Sequence, residues 1–347
     1  MGFISVSKKV FIIIINFNGW PDTKECLESL NKLTSSQDVN FEVILIDNGS
    51  REPFDYAQGI KNKFSELKIT PIFNEENLGF AGANNQGIKL ALENDADYVL
   101  LLNNDTTVEP DFLTKLVVEA EDDESAGIVG PLIYFHPHTL NEAGIYEDKK
   151  IGSELILSEE QKNKKGVGVY DNRDKIWSAG GQITNHVTRG ELIAYNESDE
   201  GEYQTAEQVD YISGTCLLIK AEAIKKIGLI SEDYFLYYED ADWGLRAYGA
   251  GWRSLLAPQA KIYHKASRST VEASYPYIYY HSRNGLMFGE RFGNKPVIYF
   301  LSVWIFLKQI VKLTVGYKRN WAKPVLRGVW DFWVGKMGKL EGYYDAR

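Results

Sequence analysis

Apolar runs in the first third of the chain each stop on a polar cluster. Val10 to Ile15 is a β-branched run ended by Asn16-Phe17-Asn18-Gly19, and "FEVILIDNGS" is a second run ended by Asp47-Asn48-Gly49-Ser50. "KITPIFN" predicts a third short strand. "YVLLLNND" predicts a fourth, stopping at Asn103-Asn104-Asp105. Between them, "DTKECLESLNKL" sets Leu27, Leu30 and Leu33 at helical spacing, and "AGANNQGIKLALEN" reads as a second helix. Strands without polar alternation, separated by helices, predict a parallel sheet covered on both faces. Such sheets bind ligands at the carboxyl ends of their strands. Every polar cluster just named falls at such an end.

From about Gly127 the pattern changes. "GIVGPLIYF" and "IWSAGGQIT" are short β segments, and the polar stretch 141–174 between them reads as loop-rich or mobile. "VDYISGTCLLIKAEAIKKIG" predicts a strand and then a short helix. "DYFLYYEDADWGLRAYGAGW" predicts a loop feeding a helix closed by Gly249 and Gly251, and "RSLLAPQAKIYHKAS" a strand broken at Pro258. The tail mixes Trp, Tyr and Phe with Lys and Arg. Its apolar core, Val297 to Leu307, is about eleven residues, short of the roughly 20 that span a bilayer. Aromatics mixed with basic residues suit a membrane surface. A helical pair packed on the domain, or on a second subunit of a homodimer, is the competing reading. At the other end, "VFIIII" is too short to span and is followed by no small-residue cleavage site, which argues against a signal peptide.

Composition narrows the classes. The 347 residues, 44% of them hydrophobic, suffice for one large domain with an extension. A net charge of −10 argues against nucleic-acid partners, which select a basic face. An anionic ligand would need a metal or a few placed cations. Cys26 and Cys216 are the only cysteines, so a disulfide framework and a Cys-rich zinc site are excluded, and a cytoplasmic setting fits.

Five stretches offer chemistry, each beside a plainer reading. Asn16, Phe17, Asn18, Asp47, Asn48 and Ser50 would hold a base and ribose at adjacent strand ends, or simply form turns. "NLGFAGANNQG" fits neither the dinucleotide fingerprint nor a P-loop, but small residues entering a helix let a ligand approach the backbone; an ordinary glycine-containing helix start is the alternative. Asn103-Asn104-Asp105 is a strand-ending turn or an oxygen site for Mg²⁺ or Mn²⁺. In Glu239-Asp240-Ala241-Asp242, an i,i+4 pair with Arg246 and the helix dipole account for Asp242. They leave Glu239 and Asp240, two adjacent carboxylates among rings, as a tuned general base. His264 is a structural histidine or a metal ligand.

Together and in this order, "IIIINFNGW", "VILIDNGS", "NLGFAGANNQGI", "YVLLLNNDTTVEPDFL", "YISGTCLLIKAEAIKKIGLISEDYFLYYEDADWGLRAYGAGW" and "IYHKAS" resemble the inverting glycosyltransferases of family 2. The match continues through "YYHSRNGL" and looks closest to the rhamnosyltransferase-like branch. The resemblance implies an α/β GT-A fold: a Rossmann-like, mostly parallel central sheet with helices on both faces. A GT-A domain would span 1–290, with a nucleotide-sugar half at 8–126 and an acceptor and catalytic half at 127–290. Residues 291–347 would form a C-terminal helical extension. It implies donor contacts from Asn16, Phe17, Asn18, Asp47, Asn48, Asn77, Gly79, Phe80, Asn85, Asn103 and Asn104. It implies Asp105 and His264 as ligands of Mg²⁺ or Mn²⁺, with Asn103 departing from the family's acidic pattern. Asp240 matches the catalytic base, with Glu239 beside it. Trp177, Gly180, Gly181, Gly214 and Trp243 fall on the acceptor side. The implied partners are a nucleotide-sugar donor, first dTDP-rhamnose and otherwise a UDP-hexose or UDP-galactofuranose, and a glycan or lipid-linked glycan acceptor. The implied location is cytoplasmic, at the inner face of the cell membrane if the tail binds lipid. A nucleotidyltransferase would carry a Gly-rich basic loop after its first strand, which "NFNGWPDTKE" lacks. A non-catalytic sugar-nucleotide module would bind donor without hydrolysing it.

Overall fold

The computed structural model describes residues 7–34, 38–52, 60, 63–136, 138–140, 168–170, 175–184, 189–265 and 274–343. Most of the polar 141–174 stretch, and the last residues of "IYHKAS", lie outside the described residues.

Strands β1 (Lys8–Asn16), β2 (Val39–Asn48), β3 (Ile69–Asn74) and β4 (Tyr98–Leu102) run parallel in the order β3-β2-β1-β4. Along β1, Val10, Ile12 and Ile14 face one core, while Phe11 and Ile13 face another. Burial on both faces explains why β1, β4 and the second half of β2 lack polar alternation, while β3 lies at the sheet edge. Helix α1 (Trp20–Leu30) closes the first core with Cys26, Leu27 and Leu30. Helix α2 (Gly79–Glu93) closes the second with Ala81, Ala83, Ile88 and Ala91. Its small residues let it lie close: a Cβ at Gly87 would come within 2.8 Å of Ile13.

The second half contains β5 (Thr106–Val108), α3 (Phe112–Asp122), β6 (Ala126–Phe135), the short β7 (His138–Leu140) to β12 (Glu207–Val209), and β13 (Cys216–Lys220). It continues through α4 (Ala221–Ile227), α5 (Glu239–Gly249) and β14 (Arg253–His264). Here the sheet stops being purely parallel. β13 inserts antiparallel between β4 and β6, and β14 then lies parallel to β6. The apolar run "CLLIK" signals two buried faces but carries no directional information. Pro258 does not end β14. The register with β6 shifts between Ala257 and Lys261, opposite Pro131, which has no N–H to donate; a bulge absorbs both prolines.

The tail forms α7 (Lys295–Thr314) and α8 (Arg319–Trp333), packed on α6 (Tyr275–Phe292). Ser274 and Asn294 cap α6 and α7, each followed by proline near the helix start. The eleven-residue apolar run of the tail sits inside a 20-residue helix. By length and composition alone that helix is long and apolar enough to cross a membrane, although most of it is exposed. Cys26 and Cys216 are free and buried, and burial pushes the Cys26 thiol up to about 12.

Candidate active site

The polar strand ends lock into one another before they can meet any ligand. Asn16 pairs with Asp47 across β1 and β2. Its Nδ2 donates to Asp47 Oδ2 at 2.9 Å and to Ser50 Oγ at 3.2 Å, while its Oδ1 accepts from Thr23 Oγ1. Asp47 Oδ1 accepts from the Ser50 N–H. Asn18, left-handed at φ 53°, accepts from the Arg51 N–H and donates its own N–H to Ser50 Oγ. Phe17 lies half-buried beside this pair of loops. Asn48 donates to Asn77 Oδ1 and Gly79 O, and accepts from Asn74 Nδ2 and Leu78 N–H. Asn48 is therefore saturated by the protein, and it shapes the loop that starts α2. Asn104 Nδ2 donates to Thr23 Oγ1. One network thus connects the ends of β1, β2 and β4 to α1.

The loop entering α2 meets the segment before Asp240 directly. Gly79 has φ +75°, and a Cβ there would come within 2.5 Å of Phe235 O, so the position requires glycine. The Phe80 N–H donates to that same carbonyl at 2.8 Å. The Phe80 ring lies where a Gly214 side chain would begin, at 2.9 Å.

Asp240 opens α5. Its Oδ2 accepts from the Gly214 N–H at 3.0 Å and its Oδ1 from the Ala241 N–H at 2.8 Å. Burial pushes its carboxyl above the ordinary range, and these backbone donors only partly oppose that. Glu239 is buried, and its Oε2 has no hydrogen-bond partner among the described residues. Burial, then the neighbouring Asp240, push its carboxyl well up. Asp242 follows the plainer reading: Arg246 Nε donates to it at 2.6 Å, and Arg291 and Tyr234 complete its shell.

Asp105 and His264 meet at the junction of β4 and β14. His264 Nε2 lies 3.2 Å from Asp105 Oδ1, both residues are buried, and Trp177 stands edge-on to the imidazole at 4.4 Å. Burial raises the Asp105 carboxyl, but the charge and hydrogen bond of His264 outweigh it and hold the group below the ordinary range. His264 Nδ1 is buried without a partner among the described residues, so the core alone does not satisfy this side chain. Among the described residues no group of three or more His, Cys, Asp and Glu forms a metal cluster. A carboxylate and an imidazole with an unpartnered nitrogen suit a divalent ion, and Asp105 and His264 are the residues that would hold one. Asn103 links this corner to the Asp240 side: its N–H donates to Thr215 O, one residue beyond Gly214.

Four expected contacts find other roles. Trp243 is fully buried in the core under α5, its Nε1 donating to Gly228 O, so it cannot reach an acceptor. Asn85 donates to Ile230 O and Glu232 Oε1 and accepts from the Ile230 N–H, pinning α2 to a loop rather than facing a donor. Gly181 makes room for the Tyr211 ring, which a Cβ would meet at 2.2 Å, and Gly180, at φ +90°, packs on Val209. Gly214 keeps its place at the site, but through its backbone N–H.

Residues without an assigned sequence role also matter. Phe235, Tyr237 and Tyr238 just before Asp240 all have positive φ, a conformation costly for large side chains. Asn284, fully buried on α6, donates to the carbonyls of Tyr234, Leu236 and Tyr237; its neighbour Arg283 donates to Asp233 O, Tyr234 O and Gly338 O. Lys265 bridges Asp22 and Glu25 of α1, and its N–H donates to Asp105 O. The "SRN" of "YYHSRNGL" was the available signal, since a helical Arg-Asn pair in an apolar setting needs buried acceptors.

A mostly parallel sheet covered by helices on both faces, extended by an antiparallel β13 and followed by a C-terminal helical region, is the GT-A fold. The mannosyltransferase PcManGT from Pyrobaculum calidifontis, solved in complex with GDP-Man and Mn²⁺, has the same fold, with a TM-score of 0.52 at 13% identity over 96% of this chain and 89% of that one. The family model of glycosyl transferase family 2 matches residues 11–178; the chain carries a domain of that family and is a glycosyltransferase similar to rhamnosyltransferases. The N-acetylglucosaminyl-diphospho-decaprenol L-rhamnosyltransferase of Mycobacterium tuberculosis (strain CDC 1551 / Oshkosh) is 27% identical over 75% of this chain and 76% of its own length. The dTDP-rhamnosyl transferase RfbF of Shigella flexneri is 25% identical over 77% of this chain and 72% of its own.

Proposed function

We propose that the protein transfers a deoxyhexose, first L-rhamnose from dTDP-rhamnose, to a hydroxyl of a lipid-linked glycan, with inversion at the anomeric carbon. The observation that carries this reading is the Asp240 carboxylate, oriented by two backbone donors and raised by burial, against the Phe80–Gly214 contact. A base near working pH takes a proton more effectively than an ordinary carboxylate. Asp240 accepts the proton of the acceptor hydroxyl, and that oxygen bonds to the anomeric carbon. The bond from that carbon to the diphosphate oxygen breaks on the opposite face, releasing the nucleoside diphosphate. Asp105 and His264 are the residues that would hold a divalent cation, which when bound neutralises charge on the departing diphosphate. The names of the two bacterial relatives, one acting on a decaprenol diphosphate and one using a dTDP sugar, support the donor and acceptor chosen. On this reading residues 8–126 hold the donor, 127–290 supply the base and acceptor side, and 291–347 form the helical extension.

A thermal-shift panel of dTDP, UDP and GDP with Mn²⁺ tests the donor. A ligand that binds only the folded state stabilises by mass action, so dTDP should give the largest shift. A larger shift with UDP or GDP would overturn the dTDP assignment.

A further inference from the structure

Helix α7 has one face committed to the protein and one left open. Ile298, Ser302 and Gln309 share the committed face and are buried. There Trp333 Nε1 of α8 donates to Ser302 Oγ at 2.7 Å, and Phe306 packs on the Trp333 ring. The opposite face carries Phe300, Val303, Trp304, Leu307 and Val311, each roughly half to three-quarters exposed. These positions also follow helical spacing, so they form one stripe, wider than the scattered apolar residues of an ordinary surface. Trp321 and Trp330 of α8 are exposed as well.

Charge separates this unit from the rest of the molecule. Between residues 295 and 330 there are seven Lys and Arg and no Asp or Glu, in a chain whose net charge is −10. Lys308 stands over the Trp304 ring at 4.7 Å, and Lys318, Arg319 and Lys323 are exposed at the turn into α8 and along it. Exposed aromatics, a helical apolar stripe and clustered cations are together what an anionic lipid interface selects.

We propose that the open face of α7 lies in the plane of an anionic membrane surface, with the start of α8 beside it. A spanning orientation conflicts with the packing. It would pull Ile298 and Ser302 out of the core and carry Lys308 and Lys312 into hydrocarbon. A second copy of the chain is disfavoured by charge, because a two-fold contact would set this basic face against itself. The docked orientation has a consequence for catalysis. α8 and α7 pack on α6, and α6 holds the segment before Asp240 through Arg283 and Asn284. That coupling to a lipid-linked acceptor rests on the function proposed above; the docking itself does not.

Flotation of the full chain with vesicles tests it. The protein should float with vesicles containing phosphatidylglycerol, not with phosphatidylcholine alone, and detach at high salt or in alkaline carbonate. Lys308→Glu with Lys323→Glu, and separately Trp304→Ser with Leu307→Ser, should each lower the floated fraction by about ten-fold or more. Donor hydrolysis in solution should stay unchanged, which shows that the variants fold. Retention after carbonate would overturn the in-plane orientation. A wild-type dimer that both variants disperse, without flotation, would make the partner a second copy and overturn the proposal. Flotation without glycosyl transfer would sustain the docking and count against the function alone.

Discussion

His264 Nε2 stands 3.2 Å from Asp105 Oδ1, joining the end of β14 to the end of β4. In sequence the two residues are far apart, and each has an ordinary explanation alone. Held together with an unsatisfied Nδ1, they are the pair we propose as divalent-cation ligands. Asp105→Asn and His264→Ala should each weaken Mn²⁺ binding in the presence of dTDP by about ten-fold or more, measured by calorimetry. Affinity within two-fold of wild type would remove these residues from the metal site. Asn103→Asp adds a carboxylate at the same strand end and should tighten Mn²⁺ while leaving nucleotide preference unchanged.

Asp240→Asn retains the shape and one oxygen of the base but removes its proton affinity. Turnover should fall by about 100-fold or more with donor binding preserved. In wild-type enzyme the acid limb of kcat/KM should lie above the ordinary carboxylate range, because burial raises Asp240. Asp240 and Glu239 are adjacent, so that limb belongs to the pair. Near-normal turnover in the variant would sink the assignment.

Glu239 gives a stability prediction with a definite sign. Its folded carboxyl holds a proton to higher pH than the unfolded chain does, whose ordinary value is about 4.3. Above that value the folded state binds more protons, so stability falls as pH rises through the window up to the folded value. Glu239→Gln removes the titration and should flatten the fall of urea-unfolding stability with pH above the ordinary carboxylate range. An unchanged slope would show that Glu239 titrates normally.

Asn284 donates to three carbonyls in a segment with three left-handed large residues. Asn284→Ala should cost about 1–3 kcal/mol of stability by stranding those acceptors. Turnover should drop while the dTDP dissociation constant stays within about two-fold, since the donor contacts lie on other elements. A loss confined to stability would limit Asn284 to a structural role.

The apolar runs determined much of the fold. Val10 to Ile15, Val43 to Ile46 and Tyr98 to Leu102 announce buried parallel strands, because only burial on both faces removes polar alternation. Their polar ends marked the expected donor side, and Glu239-Asp240 stood out because the helix dipole and ion pairing accounted for Asp242 alone. What the sequence left open were facts about distance and direction. "CLLIK" did not declare itself antiparallel, since strand polarity depends on which neighbours it meets. Trp243 and Asn85 looked like ligand contacts within their motifs, but a helix has two sides and these point into the protein. Asp105 and His264 became a pair only when β14 paired antiparallel with β5 and set His264 opposite Thr106, next to Asp105. The roles of Arg283 and Asn284 were hidden for the same reason. A buried polar side chain is explained by its partners, and those partners are assembled by the tertiary fold.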